Sequence, residues 1–427
     1  MSREADSWTA WDRNHCWHPF TQHSEWAESE KELMLVRGEG PWLIDAEGRR
    51  YFDGNSSIWT NIHGHCHPRL DKALREQLDE VSHTSFLGFG NPRAAELAKR
   101  LTEFFPSDSL GRVFFSDNGS TAVEVAVKMA IQYRQQSGEP ERQEFIAFEN
   151  AYHGDTMGAA SLGGVSLFFD RFSSFGFSAT RVTSVADMRA LPPGKVDRTA
   201  AVVMEPLIQG VNEMRPWPGG QLAEIRSWCN EQGVHLILDE VMTGFGRTGT
   251  MFACQQEEVI PDFLCLAKGL TGGYLPLAAT LTTGPVFDAF LGGRDQTFHY
   301  GHSYTANQLG CAAALASLRV FEEERVLETL PSRVKSLEQG LKAIAHPLVH
   351  EVRQCGLIAG LELRQETGER FGDSNRMGER VCVAARGHGL LTRPIRDTIV
   401  MMPPLCSTEQ EIATACEALG RAIEEVA

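Results

Sequence analysis

Between residues 65 and 320 the chain repeats one alternation. Short runs rich in β-branched and aromatic residues (RVFFS, EFIAF, AAVVMEP, HLILDEV, FLCLAKG and LAATLTT) are separated by longer segments of helical period such as AVEVAVKMAIQYRQQ and GQLAEIRSWCNEQG. Strands that alternate with helices pair in parallel and are covered on both faces, so this region is expected to form an α/β domain on a mainly parallel sheet. Ligands of such sheets sit outside the carboxyl ends of the strands. Ser116, Glu205, Asp239 and Lys268 each end an apolar run, and one pocket is expected to collect all four.

The flanks read differently. Residues 33–53 alternate apolar and polar positions around GEG and AEGR turn signals, as in a small antiparallel sheet. Beyond residue 320, helical stretches (VLETLPSRVKSLEQGLKAIA, GERVCVAARGHG) mix with short strands (LIAGLEL, TIVMMPP). The division expected is a large domain over 65–320 and a smaller α+β domain assembled from 1–64 and 321–427. A chain of 427 residues, 42% hydrophobic, can bury cores of that size.

Charge narrows the partners. With 56 acidic against 40 basic residues the formal charge is −16, which disfavours nucleic acid and anionic membranes and favours small molecules. The ten cysteines show no CxxC pair and read as reduced thiols. No apolar run approaches bilayer length, and MSREADSWTAWDRNHCW lacks a signal-peptide core, so a cytoplasmic protein is expected.

HLILDEV places Asp239 and Glu240 directly after an apolar strand. An ionised carboxylate there is costly unless a cation or strong donors meet it. Lys268, one strand later in LAKGLTGG, taken alone is a lysine snorkelling from a strand edge. Together the two suit pyridoxal phosphate chemistry, which needs a lysine to hold the aldehyde and a carboxylate to keep the pyridine nitrogen protonated. FFSDNGSTAVEVAVKMA adds Gly119 and Ser120 at a helix start, with Thr121 and Glu124 in capping-box spacing, and free amides there bind phosphate. Tyr152 and His153 in NAYHGDTMG offer a ring for the pyridine face.

AYHGDT, the strand ending in EP, LDEVMTGFGRTG, LAKGLTGG and GHSYTANQLGCAA, in that order, resemble the class III aminotransferases over essentially the whole chain. The resemblance implies the fold type I scaffold of pyridoxal phosphate transferases, with a seven-stranded large-domain sheet. It also implies Lys268 as the Schiff-base lysine, Asp239 as the pyridinium partner and Tyr152 as the stacking residue. Gly119 and Ser120 would hold the phosphate, and Ser303, next to His302, would reach the cofactor of a neighbouring subunit in a homodimer. Ser303 stands where the family more often has threonine, and His302 replaces a proline.

Within the class, WHPFTQ, DGNSSIWTNIHGHCHP and TRPIRDTIVMMPPL resemble the biotin-synthesis branch, the 7,8-diaminopelargonate synthases. That implies 8-amino-7-oxononanoate as acceptor, with Phe20, Ile58, Trp59, Gly301 and Arg393 around the substrate and Arg393 forking onto its carboxylate. Phe20 stands where better-known members carry tyrosine, and Ile58 where they carry tryptophan. Both changes remove features that favour S-adenosylmethionine, a sulfonium cation, so L-lysine is an equal candidate as donor. HGHCHP brings His63, His65, Cys66 and His67 together without the second distant pair of a metal site; a loop at the substrate mouth is expected, and no metal. Competing readings are another class III ω-amino acid or diamine aminotransferase, an aminomutase, and a non-catalytic cofactor-binding protein. A nucleotide-binding oxidoreductase is disfavoured by the absence of GxGxxG.

Overall fold

The computed structural model describes residues 3–27, 32–107 and 109–427. β1 (Leu35–Glu39), β2 (Trp42–Asp45) and β3 (Arg50–Asp53) form an antiparallel meander at the positions the alternation predicts. The large sheet holds β4 (Arg112–Ser116), β5 (Glu144–Phe148), β6 (Thr180–Val182), β7 (Thr199–Met204), β10 (His235–Asp239), β11 (Phe263–Leu266) and β12 (Ala278–Thr282). Between β7 and β10 a small hairpin is made by β8 (Ile208–Gln209) and β9 (Arg215–Pro216). A third sheet is built from β13 (Val349–Cys355), β14 (Ile358–Leu363), β16 (Pro394–Ile395) and β17 (Thr398–Met401), while β15 (Leu390–Leu391) pairs in parallel with β3. Residues from both ends of the chain thus share one sheet.

The large sheet runs β4-β12-β11-β10-β7-β5-β6. Every neighbouring pair is parallel except those of β12, which runs against both β4 and β11. β7, β11 and β12 are buried along their whole length, the signature of strands covered on both faces. Polar side chains within them are satisfied: Thr280 Oγ1 donates to the Ala122 carbonyl at 2.8 Å and Thr282 Oγ1 to Asp262 O at 3.0 Å. Cys265 points to the helix Gly119–Gln136, its Sγ 3.5 Å from Ala122 O, so it is a buried packing thiol between sheet and helix. Its pKa lies far above the ordinary thiol value because of burial. All ten cysteines are free.

Glu240, the second carboxylate of the DE pair, is fully buried and accepts from Ala253 N at 2.6 Å, Cys254 N at 2.8 Å and Thr243 Oγ1 at 3.1 Å. It therefore closes the loop between β10 and β11, with the Cys254 amide as one of the donors. Arg247, also buried, joins the same loop to both ends of the chain through Asn61 O and Pro403 O, each at 2.8 Å.

A second ionic cluster holds the β8–β9 hairpin against the third sheet. Arg353, buried on β13, bonds Glu362 at 2.5 Å and the Glu213 carbonyl at 3.0 Å, Arg364 reaches Glu362 at 2.7 Å, and Arg370 grips Glu213 at 2.8 and 3.0 Å. Burial alone would raise the Glu362 pKa, but the bonds from Arg353 and Arg364 outweigh it and bring it down from 4.5 to about 2. As pH falls the unfolded chain therefore takes up this proton first, so stability from Glu362 is complete above about 4.5 and is lost on the way down to about 2. Denaturation followed across that window should show a steeper pH slope for the native protein than for Glu362→Gln, with the difference in stability shrinking toward the acid end.

Candidate active site

A cavity of about 1060 Å³ opens at the carboxyl ends of the large-sheet strands. It gathers Phe20, Ile58, Trp59, Gly119, Ser120, Tyr152, His153, Glu205, Asp239, Lys268 and Arg393, eleven residues singled out by sequence. Gly301, His302 and Ser303 lie off this cavity, on the turn that precedes the helix Gln308–Glu323. His302 Nδ1 is 3.4 Å from Asp117 Oδ2, beside the start of the helix Gly119–Gln136.

Asp239 ends β10 with one oxygen accepting from Val241 N at 3.1 Å and the other 2.8 Å from His153 Nδ1. His153 is buried; the Asp239 bond outweighs burial and holds its pKa above the ordinary histidine value. Glu205, at the end of β7, accepts from Tyr152 N at 3.3 Å and Gly210 N at 2.9 Å. Burial raises its pKa to about 7, against the pull of the nearby His153 charge. Lys268 follows β11 and is partly buried in the cavity, its Nζ 4.6 Å from the centroid of the Trp59 ring. Burial brings its pKa down from 10.5 to about 8, although Asp239 and Glu205 both favour the charged form. Tyr152 donates its hydroxyl to Asp155 at 2.7 Å.

The helix Gly119–Gln136 begins at the cavity wall. Its cap is Asn118, whose side chain accepts from Thr121 N while Thr121 Oγ1 accepts from Asn118 N, both at 3.1 Å. The capping box is thus Asn118–Thr121, three residues earlier than the expected Thr121–Glu124 pair; Glu124 instead accepts from Thr156, Gly158 and Ala159 at the start of the next helix. The shift leaves the Gly119 and Ser120 amides as free donors of the first turn. A Cβ on Gly119 would stand 2.6 Å from Val241, and one on Gly154 only 2.0 Å from Ser120 Oγ. Glycine at both places keeps an open anion cradle beside Asp239. Ser120 Oγ accepts from Asp155 N at 3.1 Å, which leaves its own hydrogen to point outward.

Other expectations fail. Ser116 is buried with an unpartnered hydroxyl and does not line the cavity. HGHCHP is not at its mouth either: Gly64 and Cys66 have φ of +89° and +54°, which turns the three rings to separate partners. His63 bonds Ser317 at 2.9 Å, His65 faces Asp53 at 3.1 Å and His67 faces Glu324 at 3.3 Å. Among the described residues no group of three or more metal-type ligands converges.

Sequence reasoning missed Asn55, Phe168, Arg376 and Arg396, all cavity-lining. Phe168 bridges Phe20 and Tyr152, each ring centroid 5.6 Å away. It sits in a short helix, Ser166–Phe169, that the VSLFF run announces only as an apolar patch. Arg376 is paired with Glu25 and Glu379, and Arg396 faces Glu213 at 3.6 Å. Of the three, Arg393 has no carboxylate partner among the described residues, and it lines the cavity.

A strand-end lysine and carboxylate beside a bare helix N-terminus, on this sheet order, define a pyridoxal phosphate-dependent transaminase fold. Residues 25–423 match the family model for class III aminotransferases, and the chain belongs to that family. Its relatives are specific. It is 46% identical to the adenosylmethionine-8-amino-7-oxononanoate aminotransferase of Geobacter sulfurreducens, over 97% of each chain. It is 48% identical to the enzyme of the same name from Nitratidesulfovibrio vulgaris, over 96% of this chain and 80% of that one. The crystal structure of the like-named protein from Methanocaldococcus jannaschii superposes with a TM-score of 0.95 at 40% identity, over 98% and 99% of the two chains. An amine transaminase from an uncultivated Pseudomonas species, in its pyridoxal phosphate-bound form, gives 0.90 at 33%, over 97% and 99%.

The low Lys268 pKa has a stability cost with a definite sign. Between pH 10.5 and 8 the unfolded chain binds this proton and the folded chain does not, so the penalty grows as pH falls through that range and is constant below it. Lys268→Met in the cofactor-free protein is expected to raise stability at pH 7 by on the order of 3 kcal/mol, an advantage that thermal melts should show fading above about pH 10.

Proposed function

We propose that this chain transfers an amino group to the 7-keto group of 8-amino-7-oxononanoate, giving 7,8-diaminononanoate, a step of biotin synthesis. The observation that carries the reading is the meeting in one cavity of the Lys268 amine, the Asp239 carboxylate and the open helix start at Gly119–Ser120. Pyridoxal phosphate fits these groups: an anion cradle at one end, a buried carboxylate for a basic ring nitrogen, and an amine of lowered pKa. When bound, it supplies an electron-withdrawing ring and an aldehyde that takes an amino group from one substrate and passes it to the next.

The protein residues then have distinct work. The Gly119 and Ser120 amides and the Ser120 hydroxyl hold the phosphate. Asp239 keeps the ring nitrogen protonated, and His153 in turn fixes the Asp239 carboxylate. Tyr152, on the cavity wall, would pack against the ring. Lys268 would hold the cofactor through its amine and would serve as the group that gives and takes a proton beside it; a pKa of about 8 suits both directions near neutral pH. Arg393 orients the distant carboxylate of the acceptor, whose aliphatic chain packs on Phe20, Ile58, Trp59 and Phe168. Ser303, next to His302, would reach the cofactor of a neighbouring subunit, with Gly301 at the substrate, which makes the working unit a homodimer. Residues 1–64 and 321–427 act as a small domain against 65–320.

The relatives' names supply S-adenosylmethionine as donor, while Phe20 and Ile58 lack the hydroxyl and indole that favour a sulfonium, which supports L-lysine. Offered each donor separately with 8-amino-7-oxononanoate, the purified enzyme should make product from lysine; product from S-adenosylmethionine alone removes lysine. Lys268→Ala should abolish the yellow chromophore. Asp239→Ala should lower turnover by about 10²–10³-fold with the circular dichroism spectrum retained, and full activity in that variant would refute its role.

A further inference from the structure

Four consecutive non-glycine residues at the cavity wall, Ser56, Ser57, Ile58 and Trp59, have φ of +45°, +49°, +63° and +67°. They make one turn of left-handed helix, with Trp59 N donating to Asn55 O and Thr60 N to Ser56 O, both at 2.9 Å. L-residues adopt this hand singly, and a run of four persists only where its surroundings over-determine it. The surroundings here do so. Ser57 donates from its amide and its hydroxyl to the two oxygens of buried Asp53, each at 2.8 Å, and Ser56 Oγ donates to Met402 O at 2.6 Å. Asp53 is itself faced by His65 at 3.1 Å.

The turn sends its two serines to these anchors and its two large side chains into the cavity. Trp59 is then fixed in rotation as well as in place. Its indole Nε1 donates to Asn55 Oδ1 at 2.9 Å, and a Cβ at Gly210 would meet Met242 Sδ at 2.6 Å and the ring edge, Trp59 Cη2, at 3.3 Å. The ring face so oriented looks at the Lys268 amine at 4.6 Å.

We propose that the left-handed turn is a preset clamp that seats the Trp59 indole face on the Lys268 amine, with Asp53 and Asn55 as its positioning residues. An aromatic face attracts an ammonium and not a neutral amine, so the clamp favours a proton on Nζ. Asp239 from the end of β10 and Glu205 from the end of β7 act in the same sense, while burial and Arg247 from the loop after β10 oppose them. Trp59 thereby acts on the lysine, beyond the substrate contact given to it above. The geometry does not depend on the identity of the substrate.

Competition labelling of Lys268 with acetic anhydride, read by mass spectrometry across pH on the full chain stripped of cofactor, measures this amine directly. Trp59→Leu should move the labelling midpoint down by about one pH unit. Asn55→Ala should move it in the same direction by less, with little change in melting temperature, and Asn55→Asp, which keeps the acceptor, should return it to the native value or above. If Trp59→Leu does not fold, Trp59→Phe should give an intermediate fall. A midpoint unchanged by Trp59→Leu, or by both Trp59→Phe and Asn55→Ala, overturns the clamp. Because no cofactor takes part, failure of the proposed transamination would leave this result standing.

Discussion

Asp239 is a charge at the end of a buried strand, and the site is organised by how that charge is met. Left bare, it would cost several kcal/mol or take up a proton. His153 and the Val241 amide meet it instead. His153 belongs to the loop after β5, and that loop also carries Tyr152, held by Glu205 from β7, and Gly154, which packs on Ser120. One ion pair therefore sets the register between the ends of three strands and the start of the helix Gly119–Gln136.

The adjacent carboxylate shows why two acids in sequence need not share a task. Successive side chains of a strand point to opposite sides. Asp239 faces the cavity with lone pairs to spare, whereas Glu240 turns into the following loop and is saturated by two amides and a hydroxyl. Burial raises the Glu240 pKa, against the pull of these donors. A fully satisfied buried carboxylate is a structural fastener; one with an open side toward a cavity is available for chemistry.

The strand-end residues were legible in sequence because an interior strand leaves a polar residue few explanations. Glu205, Asp239 and Lys268 obey that logic; Ser116 does not, since a hydroxyl is cheap enough to bury that its presence signals little. The antiparallel β12 was hidden because LAATLTT reads alike in either direction. Placement that depends on returning loops was hidden too. Phe168, Arg376, Arg396 and Asn55 come from four separate segments, and no local pattern says that they converge. HGHCHP misled for a related reason: the His63 and His67 rings do lie 5.9 Å apart, but with positive φ at Gly64 and Cys66 the three rings bond outward to Ser317, Asp53 and Glu324. The left-handed turn carries no glycine and so gave no sign of its conformation.

One group of departures from local rules meets at a single amine. Lys268 itself has φ of +45°, as do or exceed the four residues that present Trp59 to it, and each such position costs about 1–2 kcal/mol relative to the right-handed alternative. The amine is partly buried against its preference for water, beside two carboxylates that are buried against theirs. Regular packing elsewhere in the sheet offsets these terms, because β7, β11 and β12 bury continuous apolar runs without strain. A chain under selection for stability alone would relax the turn and neutralise the cavity, so the persistence of both at a single nitrogen marks that nitrogen as the point the fold serves.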